Sequence, residues 1–226
     1  MSYTMTHIYI AENVSKHVKG ITDYPTYILG AVAPDAVHAR EDYTPTLKEK
    51  SHLFTEGLRW GKIENEKQVH AWEGSIRDYY LSHKGIVDFD FLLGYTVHLY
   101  SDVYSSMNFF APFVKSVKGD LSAAKERFLY ENFGYNFYLY KEYEKNTDSE
   151  SLLKSGKPVT LEGVISADDI KKRVELLFKQ EFVERDISDI DSYTVCSHES
   201  MKRLIDGSTE LVLKRLKELD KDIIDG

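Results

Sequence analysis

His98 and Asp102 stand four residues apart in the stretch FLLGYTVHLYSDVYSSMNFF that runs from 91 to 110. In an α-helix such positions lie one turn apart on a single face, so imidazole and carboxylate point together into whatever the helix packs against. That is a metal-ligand spacing; it is also how a core aspartate holds a core histidine, and for one isolated pair the second reading is the commoner. Gly94 lies one turn before His98 on the same face, and its missing side chain leaves room for a neighbouring segment or an ion.

Three more residues bring the same chemistry from elsewhere in the chain. His7 falls in the first turn of a helix that Thr6 can cap, where a surface or capping histidine is the simplest reading. Asp35 follows Pro34 at the point where a short apolar helix meets a loop. His52 follows a run of charge and precedes Leu53 and Phe54, a loop-to-core boundary. Three imidazoles and two carboxylates suit Zn²⁺, with manganese or iron as alternatives, since nitrogen and oxygen donors do not select sharply among these ions. The local step Asp35-Ala-Val-His38 puts His38 near the rim, and Glu49-Lys-Ser-His52 matches the Glu-x-x-His step of di-iron bundles only once, where those proteins need it twice.

The elements that must position these residues read as helices. Ile8, Ala11, Val14 and Val18 recur at helical spacing before Gly20; Pro25 opens a short apolar helix that Pro34 closes. Residues 40–50 are polar, contain Pro45, lack an apolar period, and read as loop. An amphipathic helix over 66–83 carries Val69, Trp72, Ile76, Tyr79 and Tyr80, with His70 and His83 solvated. The central helix spans about 88–107, Asp88 capping it and Pro112 following its end. Asp120 caps a helix over 121–144, residues 146–158 look like a polar linker or mobile loop, and Ser166-Ala-Asp-Asp169 resembles a capping box. A last helix starts near Ser197. Apart from a weak strand signal over 159–165 the chain reads as all-α, with a metal-site helical core over 1–145 and C-terminal helices over 146–226 completing the same domain.

Composition narrows the function. With 29 Lys+Arg against 37 Asp+Glu the net charge is -8, which leaves no electrostatic footprint for duplex nucleic acid or an anionic membrane surface. The one cysteine, Cys196, read as an ordinary helix residue, permits neither an internal disulfide nor a thiolate cluster. No signal peptide and no apolar run of membrane-spanning length is evident, so the expected location is cytoplasmic, without stable membrane association. Gly-rich phosphate loops, Gly-x-Ser-x-Gly elbows and His-Glu-x-x-His steps are missing from the sequence.

Four segments, Thr6-His7, Gly30-Ala-Val-Ala-Pro-Asp35, Lys50-Ser-His52-Leu-Phe and Gly94-Tyr-Thr-Val-His98-Leu-Tyr-Ser-Asp102, occur in an order that resembles the zinc-dependent phospholipase C family, in its branch of uncharacterised cytoplasmic bacterial members. The resemblance implies an all-α multi-helix bundle of the phospholipase C and zinc nuclease type. It also implies that Asp35, His52, His98 and Asp102 gather one zinc, that Asp102 bridges to a second held by His7, and that Asp35 is the candidate catalytic carboxylate. A downstream His and His-x-x-x-Glu set that holds a further zinc in the extracellular members is missing, since only His198 follows Asp102, so one or two ions are implied rather than three. The function that follows is a cytoplasmic metal-dependent phosphoric ester hydrolase acting on a small or soluble phosphoester, with His38, Lys48, Lys50 and Arg59 as candidate substrate contacts. The alternative is a helical module that binds a metal, ligand or partner without turnover. The adjacent His-Asp dipeptide of the His-Asp phosphohydrolases does not occur.

Overall fold

A computed structural model describes residues 3–54, 58, 63 and 65–224. Among the described residues the chain is all-helical, and extended pairing is confined to isolated bridges such as Leu161 with Ile165, where the weak strand signal over 159–165 resolves into a tight turn.

The first helix, α1 (Thr4–Ser15), buries Met5, Ile8, Ala11 and Val14, and ends before Val18. His7 is buried on it, not at the surface: the helix lies against others on the face that carries the imidazole. α2 (Tyr24–Val32) starts at Asp23, whose side chain accepts from the Thr26 N–H at 3.3 Å, with Pro25 in the first turn. It runs straight into a 3₁₀ turn, Ala33–Ala39, that carries Asp35 and His38.

The polar stretch read as loop contains a helix, α3 (Pro45–Ser51). Proline fits its first turn, and the residues it buries are Lys48 and Ser51 rather than apolar ones, so no hydrophobic period announces it. α4 (Glu66–His83) follows, with Asn65 as its cap.

α5 (Phe89–Ser105) is the middle of the molecule. Fifteen of its 17 residues are buried, the pattern of a helix covered on all sides, and α1, α2, α4 and the last helix all pack on it. It does not run on to Met107: a π turn, Ser106–Phe110, follows Ser105, and Pro112 opens α6 (Ala111–Ser116) rather than merely trailing the end.

α7 (Leu121–Tyr143) is capped by Asp120, which accepts from the N–H groups of Ser122 and Ala123. Glu131 on it is buried and accepts from the backbone N–H of Thr194, Val195 and Cys196, fixing an irregular stretch; Cys196 therefore sits in a turn, not in a helix. The segment read as linker holds α8 (Ser149–Ser155), capped by Asp148 and packed on α2 through buried Leu153. α9 (Ala167–Leu176) opens with the capping box Ser166/Asp169 and packs on the 3₁₀ turn, and α10 (His198–Leu219), capped by Ser197, packs on α5 and α1.

What fixes the register of the centre is the crossing of α2 over α5. A methyl group on Gly30 would meet the Phe91 carbonyl oxygen at 2.3 Å, and one on Gly94 would meet the Tyr27 carbonyl oxygen at 2.0 Å and the Ala31 nitrogen at 2.8 Å. The room left at Gly94 is thus filled by backbone. Asp90, in the first turn of α5, ties the start of α2 by accepting from Thr22 Oγ1 at 3.0 Å and the Asp23 N–H at 2.7 Å.

Gly94→Ala should therefore destabilise the protein by about 1–3 kcal/mol or more, the usual cost of overfilling a packed core. Gly74→Ala, in α4 with nothing within 4 Å of the added carbon, should be neutral or stabilising by about 0.5–1 kcal/mol. Urea denaturation of both variants beside the parent checks this; equal stability would mean that α2 and α5 can part without cost.

Candidate metal centre

His7 from α1, Asp35 from the 3₁₀ turn, His52 at the end of α3, and His98 and Asp102 from α5 meet in the interior, with relative exposures between 0% and 9%. Four chain segments separated by tens of residues converge on one point, and each is brought there by an interaction of its own.

α5 presents His98 and Asp102 one turn apart, with His98 Nε2 3.8 Å from Asp102 Oδ2. Asp35 is carried in by the turn that continues α2. His52 is clamped from both sides: Trp72 Nε1–H donates to its carbonyl at 2.7 Å, and the Tyr95 hydroxyl donates to the carbonyl of Ser51. Immediately afterwards Leu53 takes a left-handed conformation, φ 54°, where glycine is the usual residue at a helix end. For a γ-branched side chain this costs about 1 kcal/mol, and the clamp on His52 holds it in place. α1 is locked to α5 by the stacking of the His7 and His98 rings, 3.7 Å between centroids at 12°.

The hydrogen bonds assign each imidazole tautomer. His98 Nδ1 lies 2.8 Å from the Ala31 carbonyl, which can only accept, so the proton is on Nδ1 and the lone pair on Nε2. His52 Nδ1 lies 3.1 Å from the Lys48 carbonyl, with the same consequence. Ser101 spends its hydroxyl proton on the His98 carbonyl at 2.7 Å and so accepts from His7 Nδ1–H at 2.9 Å. All three Nε2 lone pairs then face inwards. Metal-bound histidines are oriented in this way, the outer nitrogen donating to a carbonyl or hydroxyl.

With no proton between them, His52 Nε2 and His98 Nε2 are 3.4 Å apart; His52 Nε2 is 3.4 Å from Asp102 Oδ2 and 3.5 Å from Asp35 Oδ1. A tetrahedral ion with bonds of about 2.0–2.1 Å to nitrogen and oxygen would set its ligands about 3.3–3.4 Å apart. Two overlapping groups, His7/Asp35/His98 and His52/His98/Asp102, have all their ligand atoms within 4.8 Å of one another. His7 Nε2 and Asp102 Oδ1, both buried, have no hydrogen-bond partner among the described residues and lie 3.6 Å apart. Buried acceptors facing each other without a donor are costly, and a cation among them removes the cost.

Protonation favours the same use. Burial pushes the His7 and His98 imidazoles down, His98 strongly, so both stay neutral. Burial works to raise the Asp35 carboxyl, but the Lys48 ammonium, then His38 and His52, outweigh it and hold Asp35 well below the usual carboxylate range. Asp102 is likewise held low: burial opposes, and a proton on the His52, His7 or His98 imidazole beside it would favour the carboxylate. Neutral imidazoles beside ionised carboxylates are what metal binding requires.

The remaining sequence candidates divide. His38 Nε2 is 3.4 Å from Asp35 Oδ1, and its ring, a quarter exposed, lies beside that of Tyr43, so this is the edge of the centre nearest solvent. Lys48 is buried, with Nζ 3.1 Å from Asp35 Oδ1. Lys50 is exposed on α3, outside the cluster, and Arg59 lies outside the described residues. Ser101, Ser51 and the carbonyls of Ala31 and Lys48 orient the ligands and were missed. Ser101 alone left a signal, a hydroxyl three residues from His98 on the same helix.

No family model, curated protein or solved structure matches the chain in comparisons of all three kinds.

In metal-free protein, lowered imidazole pKa values mean that the unfolded chain binds protons the folded chain does not. Stability should be full above the unfolded histidine value of about 6.5 and fall below it, by up to about 1.4 kcal/mol per pH unit for each such group. Asp35, whose folded pKa is depressed, adds a further loss with the same sign once pH drops through the ordinary carboxylate range. Melting temperatures of the apoprotein between pH 7.5 and 5.5 check this; a flat profile would mean that the buried rings take up protons as they do in the unfolded chain.

Proposed function

We propose that the chain is a metal-dependent phosphoric ester hydrolase whose centre is formed by His7, Asp35, His52, His98 and Asp102, with zinc as the first choice of ion and one or two ions per chain. The observation that carries the reading is the convergence of three oriented Nε2 lone pairs and two carboxylates at ligand-to-ligand distances of 3.4–3.8 Å. Nitrogen and oxygen donors without thiolate suit zinc, manganese or iron.

When bound, a divalent ion supplies Lewis-acid polarisation of a phosphoryl oxygen and acidification of a water toward pKa about 7. The chain's own residues do the rest. Ala31, Lys48 and Ser101 keep the imidazoles aimed. Asp35, at the half-open edge, is placed to accept a proton from an attacking water as the candidate catalytic carboxylate. His38 and Lys48 bring hydrogen-bonding groups to the side from which a phosphoester would enter, where donors held in place stabilise developing charge on the phosphoryl oxygens. The resemblance to the zinc-dependent phospholipases C supports the same reaction class, with a soluble phosphoester in place of a lipid. Among the described residues no helix is long and apolar enough to cross a membrane.

Elemental analysis of protein purified without chelator and resupplied with zinc, joined to a panel of phosphodiesters and phosphomonoesters, tests the proposal. One or two ions and metal-dependent turnover are expected. No bound ion would sink the reading; a bound ion without turnover on any ester would leave the non-catalytic binding module. Asp102→Asn should cut metal affinity by more than about 10²-fold, beyond what losing an outer-sphere partner costs, while His38→Ala should keep the metal. The reverse outcome would move the site to the 3₁₀ turn. Verified chelation should lower the melting temperature, because the buried Asp102 carboxylate and the imidazole lone pairs are then left facing one another without a cation, and Asp35 keeps only its pairing with Lys48.

A further inference from the structure

We infer that Tyr43 is a substrate-binding residue of this centre, its phenol donating a hydrogen bond to a non-bridging phosphoryl oxygen of the bound ester. The inference rests on the hydrolase reading and adds a contact that lies outside the five ligands.

Tyr43 belongs to the short segment between the 3₁₀ turn that carries Asp35 and α3, and both ends of that segment are fixed. Arg40 donates from Nε and Nη2 to the two carboxylate oxygens of Asp42 at 2.9 and 2.8 Å, and from Nη1 to Asp169 Oδ2, in the capping box of α9, at 3.4 Å. At the other end Pro45 biases the residue before it to extended backbone, and Thr44 sits at φ -136° and ψ 157°. A side chain presented from a backbone held at both ends loses little freedom when it meets a ligand.

The ring stands where the centre meets solvent. Its centroid is 4.6 Å from that of His38, and His38 Nε2 is 3.4 Å from Asp35 Oδ1. Asp35, His38 and Tyr43 thus step outwards from the interior, from 9% exposure at Asp35 to 39% at Tyr43. Among the described residues the Tyr43 hydroxyl has no hydrogen-bond partner.

Electrostatics keep this hydroxyl a donor. Burial raises the phenol above the ordinary tyrosine value, the Lys48 ammonium lowers it and the Asp35 carboxylate raises it again, so both charged groups act on it across the edge of the centre. It is therefore protonated at neutral pH. A phosphoryl oxygen that carries negative charge can only accept, so the phenol facing it donates, and bonds of this kind to a charged acceptor are the strong ones.

The test uses the zinc-loaded full chain, freed of excess metal, with inorganic phosphate as the probe, calorimetric titration for binding and elemental analysis for zinc. Tyr43→Phe keeps the ring on His38 and removes the hydroxyl; Tyr43→Ala removes both. Losing a hydrogen bond to a charged group weakens binding by about ten- to a hundredfold. Tyr43→Phe should weaken phosphate by that factor while keeping the parent's zinc content and melting temperature, and Tyr43→Ala should bind at least as weakly. On an ester that the parent cleaves, KM should rise by a similar factor in Tyr43→Phe. A Tyr43→Phe variant that binds phosphate as the parent does overturns the proposal, even where Tyr43→Ala binds weakly, because the ring and not the hydroxyl then makes the contact. Loss of zinc from Tyr43→Phe overturns it too, by making the phenol part of the metal's support. A parent without zinc, or without affinity for phosphate, sinks the hydrolase reading and this inference together. One that binds phosphate but cleaves no ester sinks only turnover, because the binding is read without it.

Discussion

The centre depends on two helix backbones touching. Gly30 and Gly94 let α2 and α5 cross with carbonyl oxygens closer than any side chain would allow. That proximity puts the Ala31 carbonyl within 2.8 Å of His98 Nδ1 and swings Asp35, four residues further on, into reach of His52. Widening the crossing by one methyl group would separate both ligands from their partners. The helix pair is thus less a support for the site than its measuring instrument, and Asp90, gripping the start of α2 from α5, sets where along the helices the measurement is taken.

A hydrophobic protein interior is an odd place for five polar side chains. The surrounding core is dense and aromatic, with Tyr27, Trp72, Tyr95 and Phe91 all sealed from solvent. Each imidazole Nδ1 of the cluster has a carbonyl or hydroxyl to meet, while the Nε2 atoms face one another and the carboxylates. Such a cluster is stabilised from outside and strained inside, so the energy of binding an ion is available to the fold as a whole. The polar groups are spread over four segments, so an ion bound among them would tie α1, the turn after α2, α3 and α5 to one another.

Sequence letters report side chains, and the site was legible to the extent that side chains make it. The His98/Asp102 step was readable from helical spacing alone, and so were the caps at Asp88, Asp120 and Ser166, whereas Thr6 lies inside α1, which starts after Tyr3 without a side-chain cap. His7 was not readable as buried, because one imidazole in a first turn says nothing about what will cover it. α3 was invisible because a buried lysine and serine replace the apolar stripe by which helices are found. The carbonyls that set the tautomers have no letter at all. The segment 146–158 hid α8 because a seven-residue helix with a single fully covered leucine carries too little periodicity to stand out from a linker.

Pro34 has a consequence that reaches into the chemistry. At the end of α2 the bonding tightens to a three-residue step, with the Ala33 N–H donating to the Gly30 carbonyl. Continued by one residue, that pattern would give the Ala31 carbonyl to the N–H of residue 34. Proline has none to give. The oxygen that would have been spent on the backbone ladder is instead the acceptor for His98 Nδ1. A missing hydrogen atom on one turn thereby decides which nitrogen of an imidazole one helix away is free to bind.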